Sequence, residues 1–398
     1  MALSGSAPLA VSVGDRHAGL LARERQREYL FACAPDAAPE TRVSLTMPVR
    51  LETWLSRSLH PIFQMNLPEG SLQETIRRAI APAAGDDDLA ILRMCGAHQP
   101  GRLRCAPADA PLPEPPSGPA VFLEELLNHP DTHRLFPELL ERHALSSCVA
   151  GVHPKVLLRA VHNGTPHHYL VKTWERSHPH LALNEQLCMT AAAKAGLPVP
   201  EFHLSRDAGL FIVKRFDSTP EGEQLGFEDF CSLQGLGTAL KYTGSCEQIA
   251  ATIRQFVSGD RLMAARQQFF AALLLSVMLR NGDSHLKNFG LLYRGPGETV
   301  TLAPVFDLTT TTAYAAEDLP ALTLQGKRCW WPRRVLERFA VAHLCLPVGI
   351  IRATFEQVST AVMETRRLLP LVMAEHPGFR PVGKLMIAAW EQGVRELQ

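Results

Sequence analysis

The sequence carries no surplus of charge: forty Lys and Arg residues stand against forty Asp and Glu. That excludes a whole-chain electrostatic case for nucleic acid or an anionic membrane as the main partner. Long apolar runs are missing too. No stretch reaches the ~18 residues of a membrane span, and the opening MALSGSAPLAVSVGDRHAG lacks the basic head and apolar run of a leader peptide. A cytoplasmic protein with no membrane partner is expected. The nine cysteines are scattered without a CxxC pair, which excludes a disulfide framework or zinc ribbon and leaves most of them as small buried hydrophobes. Internal repeats are absent. What is present is bulk, 398 residues of 46% hydrophobic composition, enough for one large or two moderate cores and so for a globular enzyme.

Residues 8 to 50 alternate in short stretches broken by Gly, Pro and charge, which predicts a small β-rich beginning. SLQETIRRAIAPAA and DDDLAILRMCGAHQ place apolar residues at helical spacing behind Ser or Asp starts, so two short helices follow. The Pro-rich stretch 106–120 predicts an extended linker between a first domain, 1–105, and the rest. Beyond it, FLEELLNHPDTHRLFPELLERHAL predicts helical turns, and two strands flank the hairpin dipeptide Asn163-Gly164. A helix over 182–195 stops at Gly196 and Pro198, and GLFIVKRFD gives another strand. From Phe227 the pattern is mostly helical, except for FGLLYR and TVTLAPVFD, which predict a β-hairpin. The expected fold class is α+β, with a lobe over 121–226 and a mainly helical lobe over 227–398.

The most informative stretch is FFAALLLSVMLRNGDSHLKNFGLLYR, where an apolar helix runs into a polar loop, Asn281 to Asn288. Phosphoryl transfer asks for a carboxylate to orient the nucleophile and hard oxygen ligands for magnesium beside the phosphates. Asp283 and Asn288 supply both, five positions apart as in the kinase loop H-R-D-x-x-x-x-N, and the hairpin delivers Asp307 as a second metal ligand. The bland alternative makes Asn281-Gly282-Asp283 a turn, Asn288 the start of a strand and Asp307 a helix cap before a threonine run. His285 either orients Asp283 or is structural.

ATP also needs a cationic anchor. Lys172 in YLVKTW sits on an apolar strand, and Glu185, in the first turn of the next helix, is placed to pair with it. The alternative is two exposed charges of little consequence. SSCVAGVHPKVLL holds a single glycine, Gly151, so it is no G-x-G-x-x-G loop, yet its N–H groups and Lys155 stand where a phosphate would be cradled. VKRFD ends the last strand of that lobe, where a kinase hinge pairs its backbone with adenine. Phe216 is otherwise core.

Together AGVHPK, LVKTW, NEQLCM with AGLPVP, VKRFD, KYTG, NGDSHLKNFGLLY and LAPVFDL resemble the HipA family of toxin kinases, and VSLTMPVR, NLPEG and DDDLAILRMCG resemble the small α/β domain that precedes its bilobal, protein-kinase-like core. The resemblance covers nearly the whole chain. It implies an ATP- and Mg2+-dependent serine/threonine kinase that phosphorylates an aminoacyl-tRNA synthetase and halts translation. It also implies restraint by a HipB-like helix-turn-helix antitoxin, with DNA met only through that antitoxin. Residue by residue, it assigns Asp283 as the catalytic aspartate, Asn288 and Asp307 as magnesium ligands and Lys172 as the phosphate lysine. Ala150, Gly151, Val152, His153 and Lys155 match the phosphate loop, Lys214, Arg215 and Phe216 the hinge, and His285 and Lys287 lie within the matched catalytic loop.

Two departures stand out. Relatives often phosphorylate a serine at the third or first position before the loop glycine, where this sequence has Cys148 and Ala150, with Ser146 and Ser147 nearby. The run from Gly226 to Phe230 replaces a common His-Gln-Glu-Asp. Two other readings stay open: a small-molecule kinase, whose G-D-x-H-x-x-x-N loop Gly282, Asp283, His285 and Asn288 approximate, and a catalytically silent co-repressor component.

Overall fold

The computed structural model describes residues 7–24, 28–80, 88–110, 120–144, 148–219 and 221–398. Most of the expected Pro-rich linker, residues 111–119, and both Ser146 and Ser147 lie outside the described residues. The chain divides into two compact units, one of residues 1–172, 214–238 and 292–298, the other of 173–213, 239–291 and 299–398.

The first unit opens on the expected β-rich region. Strands β1 (Leu9–Val13), β2 (Arg16–Arg23), β3 (Tyr29–Cys33), β4 (Trp54–Ser56) and β5 (Leu103–Pro107) make an antiparallel sheet of order β4-β3-β2-β1-β5. Leu9, Val11, Leu21 and Phe31 bury in one core with Ile76 and Leu92 from the two expected helices, Gly70–Ile80 and Asp88–Cys95. Each such side chain taken from water contributes roughly 1.5–3 kcal/mol, which is how alternating strands and short amphipathic helices hold together. Farther on, β6 (Val121–Phe122) lies parallel to β7 (Lys155–His162), and β7 pairs antiparallel with β8 (Thr165–Lys172). Asn163 and Gly164 turn that hairpin at φ +50° and +78°, the paired positive angles that favour an Asn-Gly dipeptide.

The second unit is mainly helical. Its central helix, Leu262–Met278, is buried at every residue from Phe269 to Met278, so it is apolar all round and shows no amphipathic stripe. Helices Val348–Arg366 and Arg380–Leu397 pack on it. A Cβ at Gly393 would stand 2.2 Å from the Met278 carbonyl oxygen, so only glycine lets the last helix come this close. Helix Leu181–Lys194 ends as expected before Gly196, at φ +69°. The hairpin near Asp307 is shorter than expected, with strands Gly290–Tyr293 and Thr301–Leu302. Pro304 has no N–H for the ladder, and Val305 donates instead to the Pro198 carbonyl. Among the described residues no helix is long and apolar enough to cross a membrane.

Candidate active site

The central helix ends at Met278, and Arg280 at φ +56° turns the chain into the polar loop. Asn281 Oδ1 then accepts from the Asp283 N–H at 3.0 Å, and the Asp283 carbonyl accepts from the His285 N–H at 2.8 Å. The turn predicted at Asn281-Gly282-Asp283 is therefore real, and it fixes the Asp283 side chain in place. Its Oδ1 accepts a hydrogen bond from the Tyr242 hydroxyl at 2.7 Å. Burial pushes the Asp283 carboxyl up to about 6. The Tyr242 hydroxyl and Lys241 oppose that rise, while the like charges of Asp307 and Asp318 add to it.

His285 does not orient Asp283 through its ring. The imidazole packs edge-on against Tyr242 at 5.0 Å between centroids, and burial drops it to about 4, so it is neutral. Lys287 lies half-buried in the 3-10 turn Leu286–Asn288.

Asp307 is not the helix cap of the bland alternative. Its backbone is left-handed, φ +60°, and the turn after it, Thr311–Ala313, has Thr310 as its N-cap. Asn288 Nδ2 donates to the Asp307 carbonyl at 3.3 Å, a bond that does not use the Asn288 amide oxygen or the Asp307 carboxylate. One amide oxygen and one carboxylate, with no His or Cys, form a hard donor set that fits magnesium completed by phosphates and water. The segment after Asp307 is held on both sides. Asn184 accepts from the Thr310 N–H at 2.8 Å and donates to its carbonyl at 3.1 Å, and Trp390 Nε1 donates to the Thr310 hydroxyl at 2.7 Å. Sequence reading gave no role to Tyr242, Asp318, Asn184, Thr310 or Trp390. Tyr242 and Asn184 carried a signal, as parts of KYTG and NEQLCM.

In the first unit, Lys155 and Lys172 face each other across β7 and β8, and both are buried. Gly151, at φ +112°, lies so close to Lys155 that a Cβ there would come 1.9 Å from Nζ, so a lysine lying over a glycine is built into this loop. The Gly151 N–H donates to Glu69 Oε1 at 3.3 Å, joining NLPEG to the expected phosphate loop. Ala150 and His153 are half-buried and Val152 is exposed. Cys148 is fully buried, its thiol raised well above the ordinary range by burial and by the nearby Cys95. Lys172 and Glu185 fall in different units, and both are buried.

The expected hinge divides by role. The Arg215 N–H donates to the His168 carbonyl at 2.9 Å, while its guanidinium is bidentate to Asp217, through Nε at 2.8 Å and Nη2 at 2.5 Å. Gly101 N–H also donates to Asp217. The Arg215 side chain is thus consumed by structure. Phe216 sits edge-on to Phe227 at 5.7 Å, half-buried, and Lys214 is also half-buried. In the GFEDF run, Glu228 accepts from Ser44 Oγ at 2.6 Å, Leu45 N–H at 2.7 Å and Tyr293 hydroxyl at 2.5 Å, tying this segment to VSLTMPVR.

A family model described as HipA-like C-terminal domain matches residues 147–366, and one described as HipA N-terminal domain matches residues 9–106. Two Sinorhizobium fredii (strain NBRC 101917 / NGR234) proteins that carry kinase names are similar. Y4dM is 27% identical over 346 residues, 78% of this chain and 78% of its own length. Y4mE is 26% identical over 298 residues, 68% of this chain and 69% of its own. Among solved structures, a chain of the Shewanella oneidensis MR-1 toxin–antitoxin complex of HipA, HipB and operator DNA superposes with a TM-score of 0.66 at 19% identity, covering 98% of this chain and 100% of that one. That likeness speaks for the fold, an α+β kinase-like one. With both family domains matched in order, the chain belongs to the HipA family.

Proposed function

We propose that this protein is an ATP- and Mg2+-dependent serine/threonine protein kinase, the toxin of a toxin–antitoxin pair, acting in the cytoplasm. The observation that carries the reading is Asp283, a half-buried carboxylate that already receives a hydroxyl at 2.7 Å and sits within the field of Asp307, whose carbonyl Asn288 holds. Asp283 would take the hydrogen bond of the acceptor hydroxyl and align its oxygen for attack. Asn288 and Asp307 would hold magnesium, which when bound neutralises charge on the phosphates. Lys172 and Lys155 would meet the phosphates, with Gly151 giving Lys155 room to approach. The main chain around Lys214, Arg215 and Phe216 would receive the adenine, Arg215 contributing its backbone because its side chain is engaged.

The acceptor would be an aminoacyl-tRNA synthetase and the restraining partner a HipB-like helix-turn-helix antitoxin, through which alone DNA is met. The Shewanella relative's complex with HipB and operator DNA supports the second of these. Labelled ATP and magnesium added to a bacterial lysate, with wild-type protein or Asp283→Asn, test the whole. One labelled lysate protein that disappears with the variant is the expected result. Label found only in a metabolite would favour a small-molecule kinase, and ATP binding with no transfer at all a silent co-repressor.

A further inference from the structure

The Tyr242 hydroxyl stands where an acceptor hydroxyl must stand, 2.7 Å from Asp283 Oδ1. The main chain around it is pinned on three sides. The Lys241 carbonyl accepts from Leu286 N–H at 3.1 Å, the Tyr242 carbonyl from Arg328 Nη2, and the Gly244 carbonyl from Thr323 N–H at 3.2 Å. Such stitching presents the phenol as a fixed part of the site. Tyr242 is 39% exposed, and its ring meets that of His285 nearly at a right angle.

Other hydroxyls nearby are engaged by structure. Thr243 Oγ1 donates to the Leu240 carbonyl at 2.8 Å, and Ser245 Oγ caps a helix by accepting from Gln248 N–H at 3.2 Å. Thr311 Oγ1 accepts from Gly282 N–H at 2.7 Å and donates to the Arg280 carbonyl, and Ser284 Oγ pairs with Ser276 at 2.9 Å. Asp283 accepts from Tyr242 instead.

We propose that Tyr242 is a phosphorylation site of the chain's own active centre, its phenolic oxygen receiving the γ-phosphoryl group of ATP within the same molecule. This rests on the kinase reading above. The phenolic oxygen bonds to the γ-phosphorus, the bond from that phosphorus to the β–γ bridging oxygen breaks, ADP leaves, and the phenolic proton passes to the Asp283 carboxylate. Specificity for serine or threonine in a protein acceptor does not bar the step, because the fold supplies Tyr242 already in position, at high effective concentration. The product is self-limiting. It places about two negative charges beside Asp283, which already lies in the field of Asp307 and Asp318, and it fills the acceptor position.

The test incubates the purified full chain with magnesium and ATP and maps phosphate by peptide mass spectrometry, alongside Asp283→Asn and Tyr242→Phe. Tyr242 begins the tryptic peptide YTGSCEQIAATIR, so fragmentation separates it from Thr243 and Ser245. The expected result is one phosphate per chain on Tyr242, missing from both variants, with a rate constant independent of protein concentration. Phosphate confined to other residues, or a rate constant that rises with protein concentration, overturns the inference. So does an unmodified Tyr242 in a sample that hydrolyses ATP or labels a lysate protein, and that outcome leaves the kinase reading standing. ATP bound but neither hydrolysed nor transferred sinks both.

Discussion

Asp217 in the first unit and Asp283 in the second are both acids withdrawn from water, and the protein treats them in opposite ways. Burial alone would raise Asp217, but the Arg215 guanidinium and the Gly101 N–H hold its carboxyl below the usual carboxylate range. Asp283 receives its side-chain hydrogen bond from a neutral phenol, faces two further carboxylates, and ends near 6. A carboxylate serving only the fold is satisfied where it stands. One left poorly compensated is poised to accept a proton or a donor that arrives later. Electrostatic compensation, more than burial, separates the two roles.

The sharpest way to break the comparison is to remove each charge in turn. Asp283→Asn is expected to lower phosphoryl transfer by about 10²–10⁴-fold, measured with labelled ATP, while raising stability by roughly 1–3 kcal/mol in urea unfolding at pH 8. The sign follows from linkage. A folded value near 6 against an ordinary value of 3.8 means that the stabilising protonated state is present below about 4 and is lost as pH rises through 6. Arg215→Met should do the reverse. It strands Asp217 without its ion-pair partner, at a cost of about 3–5 kcal/mol in the same assay, whereas replacing Arg215 and Asp217 together by apolar residues should recover most of that loss.

Titration sharpens the contrast further. Transfer at saturating ATP and magnesium should fall as pH drops through about 6, because Asp283 must be ionised to accept from a hydroxyl. The contribution of Asp217 runs the other way round its ordinary value. It is fully present above that value and is lost only in more acid solution, as pH falls through a folded value that lies lower still, so fluorescence-monitored unfolding should outlast activity. The smallest effect belongs to a site remote from both acids. Gly164→Ala meets no atom within 4 Å but forces a methyl group onto φ +78°, so about 1 kcal/mol of stability is lost with transfer unchanged.

Much of this was legible beforehand. The five-residue interval from Asp283 to Asn288, the Asn163-Gly164 turn and the two short N-terminal helices are local signals, and local periodicity and turn chemistry carry them. Tyr242 was not legible as a partner of Asp283, because the contact spans 41 positions and depends on a main-chain bond from Leu286 to Lys241. Asp318 gave no motif at all. The hairpin strand was overread because TVTLAPVFD looks continuous until Pro304 is denied its place in the ladder. VKRFD was read for its backbone alone, although the carboxylate two positions after Arg215 gave a clue that the side chain would be taken up in an ion pair.

The helix Arg380–Leu397 packs Gly393 against Met278, where the central helix gives way to the polar loop that carries Asp283, and sets Trp390 on Thr310 just beyond Asp307. Both contacts are made by residues synthesised about 100 positions after Asp283. At roughly 5–20 residues per second, a ribosome takes on the order of 5–20 s to travel from that loop to its brace. During that interval the nascent chain carries the loop from Asn281 to Asn288 without the helix that braces it, so the loop can take its final setting only once the last helix has been made.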